Sequence, residues 1–353
     1  MMEKRFLGRS GLEVSVFGFG LMTFGAGEGF FGAIGNTGIE DARRQVNLAL
    51  DAGITLFDTS DNYSDGQSEE ILGRTLGPRR KNVVLATKVF GRTGDGDHDV
   101  GLSRRHIIAA CDASLRRLGT DWIDLYQVHN FDGLVPLEET LRALDDLVRA
   151  GKVRHIGCSN HMAWQLTRAL WVSDRDRLEH YISQQIQYSL IVRDAENELL
   201  PAALELGVGS IIYSPLAQGY LTGKFRQGQA DDTRLGTMSR QLAAFDTERS
   251  RSLVDLMAEI AGAHEGVTIG QVALNWVRAR PGISSVLIGA RTEDQLRDNL
   301  ASANWELTPD DIDRLDEASV ISLTAPRVSY PRSAQRVFHP ERNPAPFARF
   351  PRS

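Results

Sequence analysis

The sequence is poor in cysteine. Cys111 and Cys158 are the only two in 353 residues, too few for a disulfide scaffold, and no CxxC pair suggests zinc. Long apolar runs are also missing, so no segment has the length of a membrane span. The opening "MMEKRFLGRSG" lacks the apolar core of a signal peptide. Together these absences predict a reducing, cytoplasmic setting. Positive charge is not in excess: the net charge is −6, which argues against nucleic acid as a partner. Histidines are scattered at 98, 106, 129, 155, 161, 180, 264 and 339. No HxH or HExxH occurs, so no metal site is expected. A dinucleotide fingerprint is absent too. In "GFGLMTFG", Gly18 and Gly20 fit, but Thr23 stands at the third glycine position and no helix pattern opens there.

What is present is a rhythm of strands and helices. Strand patterns fall at Val16–Gly20, Thr55–Thr59, Val83–Lys88, Ile123–His129, Val153–Ser159, Ile182–Tyr188, Ser210–Ser214 and Ser285–Ile288. Runs such as "NVVLAT" and "GSIIYS" are continuously apolar, as strands buried on both faces are. Helical stripes separate them. In "SRRHIIAACDASLRRLG", Ser103 is placed to cap the start and Gly119 the end. Leu141, Leu144 and Val148 stripe the next helix, which stops at Gly151. Eight βα units predict an α/β fold, a closed (β/α)8 TIM barrel. "RFLGRSGLEVS" predicts a β-hairpin before it. A long insertion, Gly219 to Ser284, falls between strands 7 and 8. The barrel is expected over 1–325, with a tail over 326–353 rich in proline and arginine. That tail reads as a free arm or as a flap over the mouth.

In such a barrel, active-site residues come from the C-terminal ends of strands. Those ends carry Asp58, Lys88, His129, Ser159, Asn160, Gln187, Tyr213 and Ser214. Taken singly, Asp58 reads as a turn carboxylate and Lys88 as a solvated lysine. Taken jointly, they converge on one mouth. Cys111 and Cys158 read as core residues. Asp, Tyr, Lys and His suit carbonyl reduction. Tyr63 would supply the proton, and Lys88 would stabilise the phenolate left behind. Asp58 would hold Lys88 charged. His129 would orient the carbonyl. The electrons must come from a cofactor, since no side chain donates hydride. A Schiff-base aldolase could use Lys88 but leaves the other polar residues without a role.

Six stretches resemble the aldo-keto reductases: "FDTSDNY", "LATK", "YQVHN", "IGCSN", "YSPLAQGYLTGKF" and "IGARTEDQLRDN", in that family's order. The resemblance implies an NAD(P)H-dependent reduction of an aldehyde or ketone, reversible on a secondary alcohol. It implies a catalytic tetrad of Asp58, Tyr63, Lys88 and His129. It places the carboxamide on Ser159, Asn160 and Gln187, and the nicotinamide ring on Tyr213. Ser214, Pro215, Leu216, Gln218, Gly219, Leu221 and Lys224 match the pyrophosphate loop. Gly289, Ala290, Arg291, Gln295 and Asn299 match the adenosine end, and Thr23 a contact after the first strand. Where many members carry a lysine–serine pair, this chain has Gly289 and Ala290. NADPH/NADP+ is therefore expected through Arg291, with NADH as the alternative. The family also includes barrels that dock on potassium channels, so a cofactor-binding regulatory subunit is the rival reading. Substrate choice is expected in "GEGFFGAIG" (Gly27–Gly35) and the tail. The expected partners are a small carbonyl compound or alcohol; no membrane contact is expected, and an oligomer is compatible with the sequence.

Overall fold

The computed structural model describes residues 2–26, 34–225 and 244–321. A short antiparallel hairpin comes first, β1 (Lys4–Phe6) with β2 (Glu13–Ser15). Eight parallel strands follow: β3 (Phe17–Gly20), β4 (Leu56–Asp58), β5 (Val84–Val89), β6 (Ile123–Val128), β7 (Val153–Ser159), β8 (Tyr181–Gln187), β9 (Gly209–Tyr213) and β10 (Ile283–Ile288). They neighbour one another in chain order, and β10 pairs with β3 through Val286 and Phe17 to close the barrel. The (β/α)8 expectation holds, with every strand where the apolar runs placed it. The sixth barrel strand starts one residue earlier than its pattern, and the eighth two residues earlier. Polar Ser284 hid the start of the eighth; it and Ser285 are buried because their hydroxyls donate to the carbonyls of Phe6 and Ser15.

The helices obey their local signals. Ser103 accepts from the His106 amide at the start of the helix Arg104–Leu118, and Gly119 closes it with φ 62°. The helix Leu137–Arg149 ends two residues before Gly151, the expected stop, which has φ 73°. The insertion carries two helices, Glu248–Ala263 and Ile269–Arg278, each opened by a threonine cap. Residues 226–243 of that insertion, 27–33 of the glycine-rich loop, and the 326–353 tail lie outside the described residues.

Strand parity divides the barrel. Outward residues such as Phe57, Leu85, Tyr126 and Ile212 join the large core under the helices. Inward residues Leu56, Val84, Ala86, Leu125, Ile211 and Leu287 form a second apolar cluster inside. The hairpin closes its lower end, because Leu7 and Val14 belong to that inner cluster and are wholly buried. Gly8 makes this fit. It has φ 62°, and a Cβ there would lie 2.6 Å from the Gly207 oxygen and 2.7 Å from that of Ile182.

Helix-on-helix contact is tightest at Gly73, in the helix Gln67–Leu76. A Cβ there would lie 2.4 Å from the Leu118 carbonyl oxygen. Helix propensity alone favours Gly73→Ala by about 1 kcal/mol. The clash reverses this, and the expected outcome is destabilisation of about 1–3 kcal/mol in urea unfolding. A stabilised variant would mean that the two helices can separate freely.

Candidate active site

The apolar plug inside the barrel ends abruptly, two residues further along each strand. Leu56 is followed on the same face by Asp58, Ala86 by Lys88, Leu125 by Gln127, Ser183 by Gln185, and Ile211 by Tyr213. Successive side chains alternate between faces, so each of these residues points where its predecessor points, an apolar one in every strand but β8, where it is Ser183. A polar layer therefore stands on an apolar floor at the C-terminal end of the barrel.

Lys88 is the centre of that layer and is wholly buried. Its Nζ forms an ion pair with Asp58 Oδ1. It also donates to the Thr59 carbonyl at 2.8 Å and to the Tyr63 hydroxyl at 3.3 Å. Burial acts to lower the pKa of the ammonium, but Asp58 and then Tyr63 reverse this and leave it raised. Lys88 is a permanent cation at neutral pH. The remaining oxygen of Asp58 is held from two sides: Gln127 Nε2 and Gln185 Nε2 each donate to Oδ2 at 2.9 Å. Gln185 Nε2 is also 3.2 Å from Gln127 Oε1, so the amides hold one another.

Tyr63 reaches the site from a tight turn, Tyr63–Gly66, after β4. Ser64 and Asp65 there adopt φ 48° and 54°, left-handed conformations that side chains disfavour. Strain of this sort persists where the surroundings enforce it. Burial pushes the Tyr63 phenol up, and Lys88 opposes it without winning. The sequence emphasised the stabilising cation; the structure shows desolvation as the larger influence. Tyr63 thus holds its proton, as a general acid must.

His129 meets Tyr63 edge-on, with ring centres 5.8 Å apart. Its Nδ1 lies 3.2 Å from the Ser60 hydroxyl. Burial pushes the imidazole down to about 3, and the Lys88 charge adds to that. The ring is neutral at neutral pH, suited to hydrogen-bonding a carbonyl rather than to acid catalysis.

The rest of the expected set surrounds this core. Asn160, at φ 55°, donates from Nδ2 to the His129 carbonyl at 3.0 Å and accepts at Oδ1 from the Tyr213 hydroxyl at 2.8 Å. Ser159 donates to the Gln185 carbonyl at 3.0 Å. Gln187 lies two residues beyond Gln185, half-buried at the rim. Of the two glutamines, it is Gln185 that reaches the Asp58–Lys88 pair. After Tyr213 the chain enters a left-handed run: Ser214 at φ 51°, Ala217 at 46°, Gln218 at 56° and Gly219 at 94°. Such runs turn backbone N–H groups toward one side and suit anions. Lys224 stands against it, since a Cβ on Gly219 would come within 2.8 Å of its Nζ. Cation and concave loop together fit a pyrophosphate.

At the opposite edge, Gln295 Oε1 accepts from the Arg291 amide at 2.9 Å, and Asn299 Nδ2 donates to the Gly289 carbonyl at 3.1 Å. Arg291 Nε donates to the Ile34 carbonyl at 2.9 Å, and Thr23 Oγ1 to that of Ala290 at 3.0 Å. These bonds shape the loop after β10. Gln127, Gln185 and Ser60 were not singled out in the sequence. The signal was there for Gln127, on the parity of Asp58 and Lys88 within its strand; Gln185 shares a strand with two other glutamines.

Removing an amide donor from a buried carboxylate costs about 1.5–3 kcal/mol. Gln185→Leu is expected to lose stability in that range by urea unfolding. Gln187→Leu, at the rim, is expected to lose less than about 0.5 kcal/mol. Equal losses would show that Asp58 does not depend on Gln185.

Comparison with known proteins agrees with this geometry. Residues 16–320 match the model of the Aldo/keto reductase family. A putative voltage-gated potassium channel subunit beta from Schizosaccharomyces pombe is 35% identical over 93% of this chain and 96% of its own length. Versiconal hemiacetal acetate reductase from Aspergillus parasiticus is 36% identical over 90% and 97%. An uncharacterized oxidoreductase from Bacillus subtilis is 38% identical over 87% and 92%. The closed eight-stranded barrel, the match across its whole length and these relatives make the chain a member of the aldo/keto reductase family.

Proposed function

We propose that the chain reduces an aldehyde or ketone to an alcohol with NADPH, reversibly, and that Tyr63 is the proton donor. One observation carries this reading: Lys88 Nζ lies between Asp58 Oδ1 and the Tyr63 hydroxyl, 3.3 Å from the latter, under the barrel mouth. A bound nicotinamide would supply the hydride. Tyr213, Ser159 and Asn160 would hold its ring and amide, and Ser214–Gly219 with Lys224 its phosphates. Neutral His129 would hydrogen-bond the substrate oxygen, and Tyr63 would hand it a proton. Lys88 would then lie beside the phenolate, with Asp58 and its two glutamine amides keeping that cation in place. In the reverse direction the phenolate would take the proton from the alcohol.

The second reading is a regulatory subunit, because relatives from fission yeast and Arabidopsis thaliana are named as potassium channel beta subunits. No helix among the described residues is long and apolar enough to cross a membrane. Co-purification with a membrane protein, without turnover of small carbonyls, would favour that reading.

Tyr63→Phe is expected to lower turnover by about 10²–10⁴-fold with unchanged cofactor affinity. The pH dependence has a defined sign. Reduction needs the phenol protonated, and Tyr63 is raised above its ordinary value. Reduction should therefore persist through neutral pH and fall only in alkali, while alcohol oxidation rises. Near-parent turnover in Tyr63→Phe would refute the assignment.

Cofactor preference is expected to rest on Arg291, whose Nε is held by the Ile34 carbonyl. A guanidinium there can grip a 2′-phosphate with charge-assisted bonds. Arg291→Ala should weaken NADPH about tenfold and NADH little, with the difference shrinking at high salt. Equal weakening of both dissociation constants would mean stacking on adenine instead.

A further inference from the structure

Four of the six exposed large apolar side chains among the described residues belong to neighbouring elements; Phe6 and Val320 lie elsewhere. Leu134 lies on the loop after β6, Met162 on the loop after β7, and Trp164 and Trp171 on the helix Ala163–Asp176 that follows. The two tryptophans are 53% and 58% exposed. Trp164 packs edge-on against Phe131 at 5.9 Å, which ties the helix to the β6 loop. Exposed tryptophans grouped on one helix are a feature of interaction sites.

The order of residues on that helix says what fits it. Trp164, Arg168, Trp171 and Arg175 are exposed and are spaced four, three and four apart. That spacing keeps them on one face and is the spacing of a two-helix seam. Leu166, Ala169, Leu170 and Val172 face the barrel instead. Read backwards, the seam is Arg, Trp, Arg, Trp. An antiparallel second copy therefore sets Trp164 on the partner's Arg175, and Arg168 on the partner's Trp171. Each such contact is a cation over an aromatic face. The pairing already occurs within one chain, where the Arg175 guanidinium lies 4.9 Å above the Trp171 ring. A parallel copy would oppose arginine to arginine.

Charge does not oppose the contact. Glu138 lies 3.9 Å from Arg168 and 3.6 Å from Arg175. Asp176 pairs with Arg175 at 2.7 Å and lies 3.8 Å from Arg142. Three cations and two carboxylates thus share the face, and His180 and Asp174 pair beside it at 2.8 Å. Tryptophan, arginine and methionine are the residue types enriched in interfaces. We propose that this face is a two-fold contact between two copies of the chain, with the helices antiparallel and each tryptophan under an arginine of the other copy. A two-fold axis between residues 169 and 170 makes the contact self-complementary and closed.

Sedimentation velocity of the full chain over a concentration series tests this. The expected species is a dimer of twice 39.0 kDa. Trp171→Ala and Arg168→Glu are each expected to weaken dimerisation tenfold or more. Both side chains are exposed, so melting temperature and circular dichroism should match the parent. A parent that stays monomeric throughout overturns the proposal, whatever else occupies the face. So does a dimer whose mass neither substitution changes.

Discussion

A lysine wholly removed from water sits at the centre of this protein, and the rest of the barrel interior is arranged around it. Lys88 is charged because Asp58, the Thr59 carbonyl and the Tyr63 hydroxyl surround its ammonium. Two charges buried together repay their desolvation only when their remaining polar valences are met. Asp58 meets this condition through Gln127 and Gln185. Four strands thus contribute to one ion pair, and each contribution relies on barrel closure to bring it within reach.

The two ends of the barrel do different work. Below, the hairpin residues Leu7 and Val14 seal an apolar plug, and Gly8 lets the chain lie directly on the Gly207 and Ile182 backbones. Above, the same strands carry polar side chains. The transition takes one step of strand parity. It places a low-dielectric floor under the ion pair, which raises the Tyr63 phenol and depresses the His129 imidazole. One physical cause, burial, keeps the acid protonated and the histidine neutral. The backbone strain at Ser64 and Asp65 lies in the turn that delivers Tyr63, where local geometry yields to tertiary demand.

Strands and helices were legible because each carries its own local signature. Continuous apolar runs, Ser103 and Gly119 as caps, and the threonine-capped helices of the insertion need no distant partner to be recognised. Ser284 was not legible as strand, because its burial depends on a carbonyl of the distant N-terminal hairpin. The two glutamines were hard to rank for the same reason. "SQQIQ" offers three amides. Only the register of β8 against β7 and β9, and the position of Asp58 across the barrel, decides that Gln185 meets the carboxylate.

The sequence by itself determined the (β/α)8 class, the strand ends that carry Asp58, Lys88 and His129, and membership of a reductase-like family. These follow from hydrophobic pattern and from short contiguous motifs, both of which are local along the chain. Tertiary structure alone decided how charge is managed. It showed that burial outweighs Lys88 in setting the Tyr63 proton, that His129 is neutral, and that Asp58 is gripped by amides from two other strands. Desolvation and hydrogen-bond satisfaction depend on what surrounds a group in space, and residues 58, 127 and 185 become neighbours only when the barrel closes.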